Sequence, residues 1–149
     1  MSRVNEFAFK IATANGTGSA SANGLIMQAI FRMGVPVTGK NVFPSNIQGL
    51  PTWYEIRVSG RGYTARTPVF DLMVALNPAT YSKDIVEVHS GGWLMYDSTW
   101  PLDERLRRND VTTLGIPLAD MSRTAPDSAA TTVLEKLIVF GYLGQALTT

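Results

Sequence analysis

Gly16, Thr17 and Gly18, with Ser19 behind them, are the residues whose types and spacing most directly suggest chemistry. A glycine pair between a strand and a helix turns backbone N–H groups and the positive end of the helix dipole outward, with no side chain in the way. That is a cradle for an anion such as phosphate. The same glycines would also serve a tight turn and a close-packed helix, and the residues leave both readings open. Nicotinamide and flavin binders add a third glycine and an acidic residue about twenty positions on for the ribose hydroxyls. Here the third-glycine position is Ser21, and no Asp or Glu lies between Glu6 and Glu55. A dinucleotide site is therefore disfavoured. The GKS or GKT ending of a P-loop is also missing, so nucleotide hydrolysis has no support. Lys10, Arg32 and Lys40 are the only charges in that stretch. They read either as a positive setting for coenzyme A or an acidic partner surface, or as ordinary solvated charges.

Other polar residues suggest less. The chain has no cysteine, which removes disulfides, thiolate nucleophiles, iron–sulfur ligation and cysteine-based zinc sites together. With the single histidine, His89, and no HxxxH, HxxE or clustered DxD spacing, no metal site is expected. His89 precedes Gly91-Gly92 and reads as a surface residue in a polar turn. Asp97-Ser98-Thr99 at a strand's carboxyl end reads as a turn or helix cap. Trp53, Tyr54, Trp93 and Trp100 read as apolar faces buried in the core or against a sister domain.

The elements that position the glycine loop follow from periodicity. Glu6 to Thr13 alternates and is rich in strand formers, and Ala22 to Met33 carries Leu25, Ile26, Ala29, Ile30 and Met33 at helical spacing before Gly34. Val35 to Val42 reads as a short strand, and Phe43 to Pro51 as a loop. Trp53 to Ser59 reads as a strand with Tyr54, Ile56 and Val58 inside and Glu55, Arg57 and Ser59 on a wet face. Phe70 to Leu76 is nearly continuous apolar, as in a parallel strand covered on both faces, and Asn77-Pro78 opens a short helix. Trp93 to Tyr96 and Val111 to Ile116 are two more such strands. Thr131 to Gln145 reads as a long helix, apolar almost all round and so expected to be buried. The inferred fold is α/β: a single-domain, doubly wound, mostly parallel Rossmann-like sheet with helices on both faces, strands alternating with helices throughout.

At 149 residues the chain has room for one core. Its net charge of +1 gives no reason to expect nucleic acid or an anionic membrane surface. No stretch is long and apolar enough to span a membrane, and the first residues lack the pattern of a signal peptide, so a cytoplasmic location is expected. The chain stops at Thr149 with no further strand, so a domain truncated at its C-terminus is expected.

Four segments carry a family resemblance: Asn15-Gly16-Thr17-Gly18-Ser19-Ala20-Ser21-Ala22-Asn23, the run from Pro44 to Ser59, the run Asp71 to Pro78, and Gly92 to Pro101. Together, and in this order over most of the chain, they resemble the gamma domain of 2-oxoacid:ferredoxin (acceptor) oxidoreductases. The nearest branch is the 2-oxoglutarate:ferredoxin oxidoreductase-like one, with the gamma domain fused before the alpha part. The resemblance implies a part in oxidative decarboxylation of a 2-oxoacid to its acyl-coenzyme A, with electrons passed to ferredoxin. It implies that thiamine diphosphate, magnesium and iron–sulfur clusters sit on the alpha and beta parts, and that this chain is inactive alone. It further implies coenzyme A contacts from Gly16, Thr17, Gly18, Ser19, Ser45, Asn46 and Gln48. In pyruvate-oxidising relatives the segment matching Pro44 to Leu50 is richer in lysine; Asn46 and Ile47 stand there in this chain, so an interdomain contact loop is an equally open reading. The alternative function is a stand-alone nucleotide- or coenzyme A-binding Rossmann-like module.

Overall fold

The computed structural model describes residues 5–44 and 47–124. The helix expected over Thr131 to Gln145 lies outside them. The described strands are β1 (Glu6–Ala14), β2 (Val37–Val42), β3 (Pro51–Ser59), β4 (Phe70–Ala75), β5 (Val88–Asp97) and β6 (Thr112–Ile116). They form one sheet in the order β2-β3-β1-β4-β5-β6. β1, β4, β5 and β6 pair in parallel, whereas β3 runs antiparallel to both its neighbours, β1 and β2. Only β3 opposes the common direction, so the sheet is mostly parallel, as expected.

The alternation within β1 builds two cores. Phe9 and Ile11 point to the face covered by helix α1 (Ser19–Arg32), where Ile26 and Ile30 meet Ile56, Leu72, Val74 and Met95. Ala8 points to the other face, where Tyr81 and Ile85 pack with Met73, Ala75 and Leu94. Tyr81 opens the short helix α2 (Tyr81–Asp84), which lies between two 3-10 turns. The continuous apolar run in β4 divides as its sequence predicts, with Leu72 and Val74 in one core and Met73 and Ala75 in the other. Leu72, Met73 and Val74 each contribute on the order of 2 kcal/mol by leaving water.

Several expectations change. Strands do not alternate with helices throughout: α-helices occupy the β1–β2 and β4–β5 connections, while loops join β2 to β3 and β3 to β4. An antiparallel neighbour needs no crossover helix, which is why the reversal of β3 replaces helices with loops. The helix α1 begins at Ser19 rather than Ala22, with Gly18 at its N-cap in the left-handed region, φ 74°. At the other end Gly34, φ 80°, donates its N–H to Phe31 O at 2.9 Å, as the helix-ending glycine should.

The outward face expected on β3 is not wet. Glu55 and Ser59 are 7% and 0% exposed. Ser59 donates its hydroxyl to Glu6 Oε1 at 2.8 Å, and Glu55 is neutralised by cations from β1 and from the β3–β4 loop. His89 is part of β5 rather than a turn, and its Nε2 lies 2.8 Å from Asp71 Oδ1. Trp53 is half-buried, but Trp93 and Trp100 stay exposed at 43% and 42%, so the core does not account for them. Helix α3 (Leu118–Thr124) follows β6.

Candidate functional site

The glycine loop sits where β1 ends and α1 begins, at the carboxyl ends of the parallel strands, the usual place for a ligand crevice in an open α/β sheet. Gly16 (φ 87°) and Gly18 (φ 74°) both adopt backbone conformations that favour glycine. Thr17 donates its hydroxyl to Ala14 O at 2.9 Å, and Thr13 donates to Ser19 Oγ at 2.9 Å, so the two flanking hydroxyls tie strand to helix. The first turn of α1 holds no acidic residue, and no side chain caps it. Its positive end is therefore uncompensated from within the helix.

The loop after β2 is sewn to the glycine loop. Asn15 N donates to Leu50 O at 2.7 Å, Gly49 N donates to Asn15 O at 2.9 Å, and the Asn15 side-chain amide donates to Ile47 O at 3.1 Å. Gln48 lies across Gly16: a Cβ built on Gly16 would sit 2.8 Å from Gln48 Cγ. Over Gly18, by contrast, such an atom would meet nothing within 4 Å. The glycine that must be bare for packing is thus Gly16, and the one that opens onto free space is Gly18. Of the residues implicated by the resemblance, the structure brings Gly16, Thr17, Gly18, Ser19 and Gln48 together; Ser45 and Asn46 lie outside the described residues.

The positive setting read from Lys10, Arg32 and Lys40 does not form around this loop. Lys10 is 7% exposed and ion-paired with Glu87 at 2.6 Å and Glu55 at 3.4 Å. Arg32 ends α1, about 20 Å from Ser19 at 1.5 Å per residue. Lys40 lies within β2. Sequence distance misled because a strand and a helix carry neighbouring charges to different places.

Asn23 is a buried polar residue that sequence reasoning did not single out. It is 2% exposed on the inner side of α1, and its amide has no hydrogen-bond partner among the described residues. Such a group costs about 1–3 kcal/mol unless something satisfies it. A polar residue inside an otherwise apolar helical stripe with Ala22, Ile26 and Ile30 was the available signal.

A second polar cluster lies beneath the sheet on the α2 side. The Arg66 guanidinium donates twice to Glu55, at 2.7 Å each, and Lys10 also stands over the rings of Trp53 and Phe70 at 5.5 and 5.3 Å. Burial alone would raise the Glu55 carboxyl, but the Arg66 hydrogen bonds and the charge of Lys10 outweigh it and hold the group below its usual value. Asp84, 1% exposed, accepts from Trp53 Nε1 at 2.8 Å and Thr80 Oγ1 at 2.6 Å. There burial wins over those hydrogen bonds and raises the carboxyl.

Asp97 is a cap, as its sequence setting suggested. Its Oδ1 accepts from Thr99 N and Oγ1 at 3.0 and 2.8 Å, and its Oδ2 accepts from Ala119 N at 3.0 Å in the first turn of α3. Tyr81 Oη donates to Asp97 O at 3.3 Å, and burial pushes the Tyr81 phenol up to about 12. Among the described residues no helix is long and apolar enough to cross a membrane, and no group of three or more acidic or histidine side chains converges as metal ligands do.

The family model described as pyruvate ferredoxin/flavodoxin oxidoreductase matches residues 8–148. No curated protein matches the chain. Solved structures similar to it include a 2-oxoglutarate:ferredoxin oxidoreductase from Magnetococcus marinus with 2-oxoglutarate, coenzyme A and succinyl-CoA bound, at TM-score 0.76 and 22% identity, covering 86% of this chain and 23% of that one. A pyruvate oxidoreductase subunit from Thermotoga maritima matches at TM-score 0.61 and 18% identity, over 79% of this chain and 65% of that one. The gamma subunit of a keto/oxoacid ferredoxin oxidoreductase from Geobacter sulfurreducens PCA matches at TM-score 0.68 and 16% identity, over 85% and 71%. The chain spans about a quarter of the first of these and about two thirds of the second. At such identities the likeness establishes the shared fold.

Proposed function

Given that the chain belongs to the pyruvate ferredoxin/flavodoxin oxidoreductase family, we propose that it is the gamma-type part of a cytoplasmic 2-oxoacid:ferredoxin oxidoreductase and is inactive alone. The overall reaction takes a 2-oxoacid anion, coenzyme A and two oxidised one-electron acceptors to acyl-coenzyme A, carbon dioxide, two reduced acceptors and one proton. Carbon–carbon cleavage and electron transfer need thiamine diphosphate, magnesium and iron–sulfur clusters. This chain has no cysteine to ligate a cluster, so the clusters belong to the alpha and beta parts; thiamine diphosphate and magnesium are placed there with them, and ferredoxin is reached through them.

The role of this chain is at its composite edge. The observation that carries the reading is the open space over Gly18 at an uncapped helix start. Coenzyme A, the acyl acceptor, fits such an edge through its phosphates. The backbone N–H groups after Gly18 and the Ser19 hydroxyl would take the phosphate oxygens, and Gln48 would hold the neighbouring loop in place. Ser45 and Asn46 belong to the same loop and remain candidates for this contact. Exposed Phe43 and Leu50, at 49% and 39%, flank the edge as apolar surface for a sister domain.

The test is recovery of the tagged chain from its native cell extract, followed by assay for 2-oxoacid-dependent reduction of a viologen dye with coenzyme A. Co-purification of thiamine- and iron–sulfur-containing subunits with that activity supports the assignment. A solitary, well-folded protein without activity would instead favour a stand-alone binding module.

A further inference from the structure

We propose that the chain carries a second ligand site, for a small carboxylate- or phosphate-bearing anion, between β2 and the 64–67 strap on the sheet face away from α1. The face follows from Gly39. A Cβ there would strike Met27 of α1 at 2.7 Å, so its strand neighbours Thr38 and Lys40 point the opposite way. In register with them stand Arg57 and Glu55 of β3. The strap crosses above, held by an Arg57 guanidinium N–H donated to Ala65 O and by the double hydrogen bond of Arg66 to Glu55. A pocket of about 250 Å³ remains between strap and strands.

Charge decides what the pocket would hold. Lys10 and Arg66 are matched by Glu55 and Glu87. Lys40, across the ladder from Glu55, and Arg57 form no ion pair among the described residues, Glu55 being held by Lys10 and Arg66. Arg57 is nonetheless held in place, by Ala65 O and by the Tyr63 ring at 5.7 Å. The lining therefore carries two uncompensated positive charges, one of them preorganised, together with the hydroxyls of Thr38 and Thr64. Its volume falls just below the roughly 300–1,000 Å³ of pockets that enclose larger ligands. At about 30 Å³ per water it corresponds to about eight waters, room for a small anion.

This site is independent of the glycine loop, and one experiment separates the two. Amide chemical shifts of the isotope-labelled full chain are followed during titration with inorganic phosphate and, separately, malonate, at constant ionic strength. The expected result is saturable shifts at Thr38, Lys40, Arg57 and the 64–67 strap. Lys40→Glu should weaken the binding about tenfold or more with unchanged far-UV circular dichroism, and Lys40→Gln, a milder change to the strand, should weaken it by less. Saturation by only one probe supports the site and names the ligand chemistry. No saturable shift at these residues with either probe, or equal affinity in the wild type and Lys40→Glu, overturns it. Shifts confined to residues 16–20 overturn it too, while supporting the coenzyme reading of the glycine loop.

Discussion

Gln48 lies across Gly16 so closely that a single added carbon on the glycine would sit 2.8 Å from its Cγ. The contact fixes how the loop after β2 meets the loop after β1, and so shapes the edge assigned to coenzyme A. Gly16→Ala combines this clash with a left-handed backbone at φ 87° and should cost about 2 kcal/mol in urea unfolding. Gln48→Ala removes the offending Cγ. The double variant should therefore be less destabilised than the sum of the singles, by about 1 kcal/mol; strict additivity would show that the contact plays no part.

Gly18 should behave differently. Gly18→Asp places bulk and negative charge where nothing now stands within 4 Å, and Asp tolerates the left-handed region better than most residues. The fold should survive, as read by circular dichroism, while the coenzyme A contribution in the assembled enzyme is lost. Asn23→Ala should leave the isolated chain as stable as before, or up to about 1 kcal/mol more so, because it deletes a buried amide with no hydrogen-bond partner among the described residues. Unchanged coenzyme kinetics in Gly18→Asp would remove coenzyme A from this edge.

Lys10→Met should cost about 3 kcal/mol, because it leaves Glu55 and Glu87 facing each other's charge with only Arg66 to offset them. The Glu55 pKa is lowered in the folded state, so its stabilising contribution is present above its usual value and is lost as pH falls through the folded value. Urea midpoints from roughly pH 5 down to pH 3 should therefore fall more steeply in the wild type than in Glu55→Gln.

Tyr81 offers an alkaline counterpart. Burial pushes its phenol up to about 12, above the ordinary tyrosine value of about 10. A group whose pKa is raised by folding stabilises fully below its unfolded value and loses that contribution as pH climbs through the folded one. Thermal melts of the wild type should lose stability across that interval by more than those of Tyr81→Phe. The variant itself should be weaker by about 1 kcal/mol at neutral pH, having lost the bond to Asp97 O.

The sequence by itself determined the strands, the α1 stripe, the glycine turn and the absence of cysteine chemistry, because each is written in local spacing. Phe9 and Ile11 alternate with Ala8 and Ala12 whatever lies around them, and the apolar run of β4 requires cover on both faces. Asp97 could be read as a cap because Ser98-Thr99 follows it directly. Only the tertiary structure decided that β3 runs backwards beside β1, because register and direction come from residues 37 or more positions apart, such as Phe9 and Ile56. That one reversal places Glu55 against Lys10 and buries both, turning an expected wet face into an ion-pair cluster and withdrawing Lys10 from the glycine loop. It likewise sets Arg57 opposite Thr38 and Lys40 opposite Glu55, so that Lys40 and Arg57 become diagonal neighbours across β2 and β3, a placement of charges that no window of sequence contains.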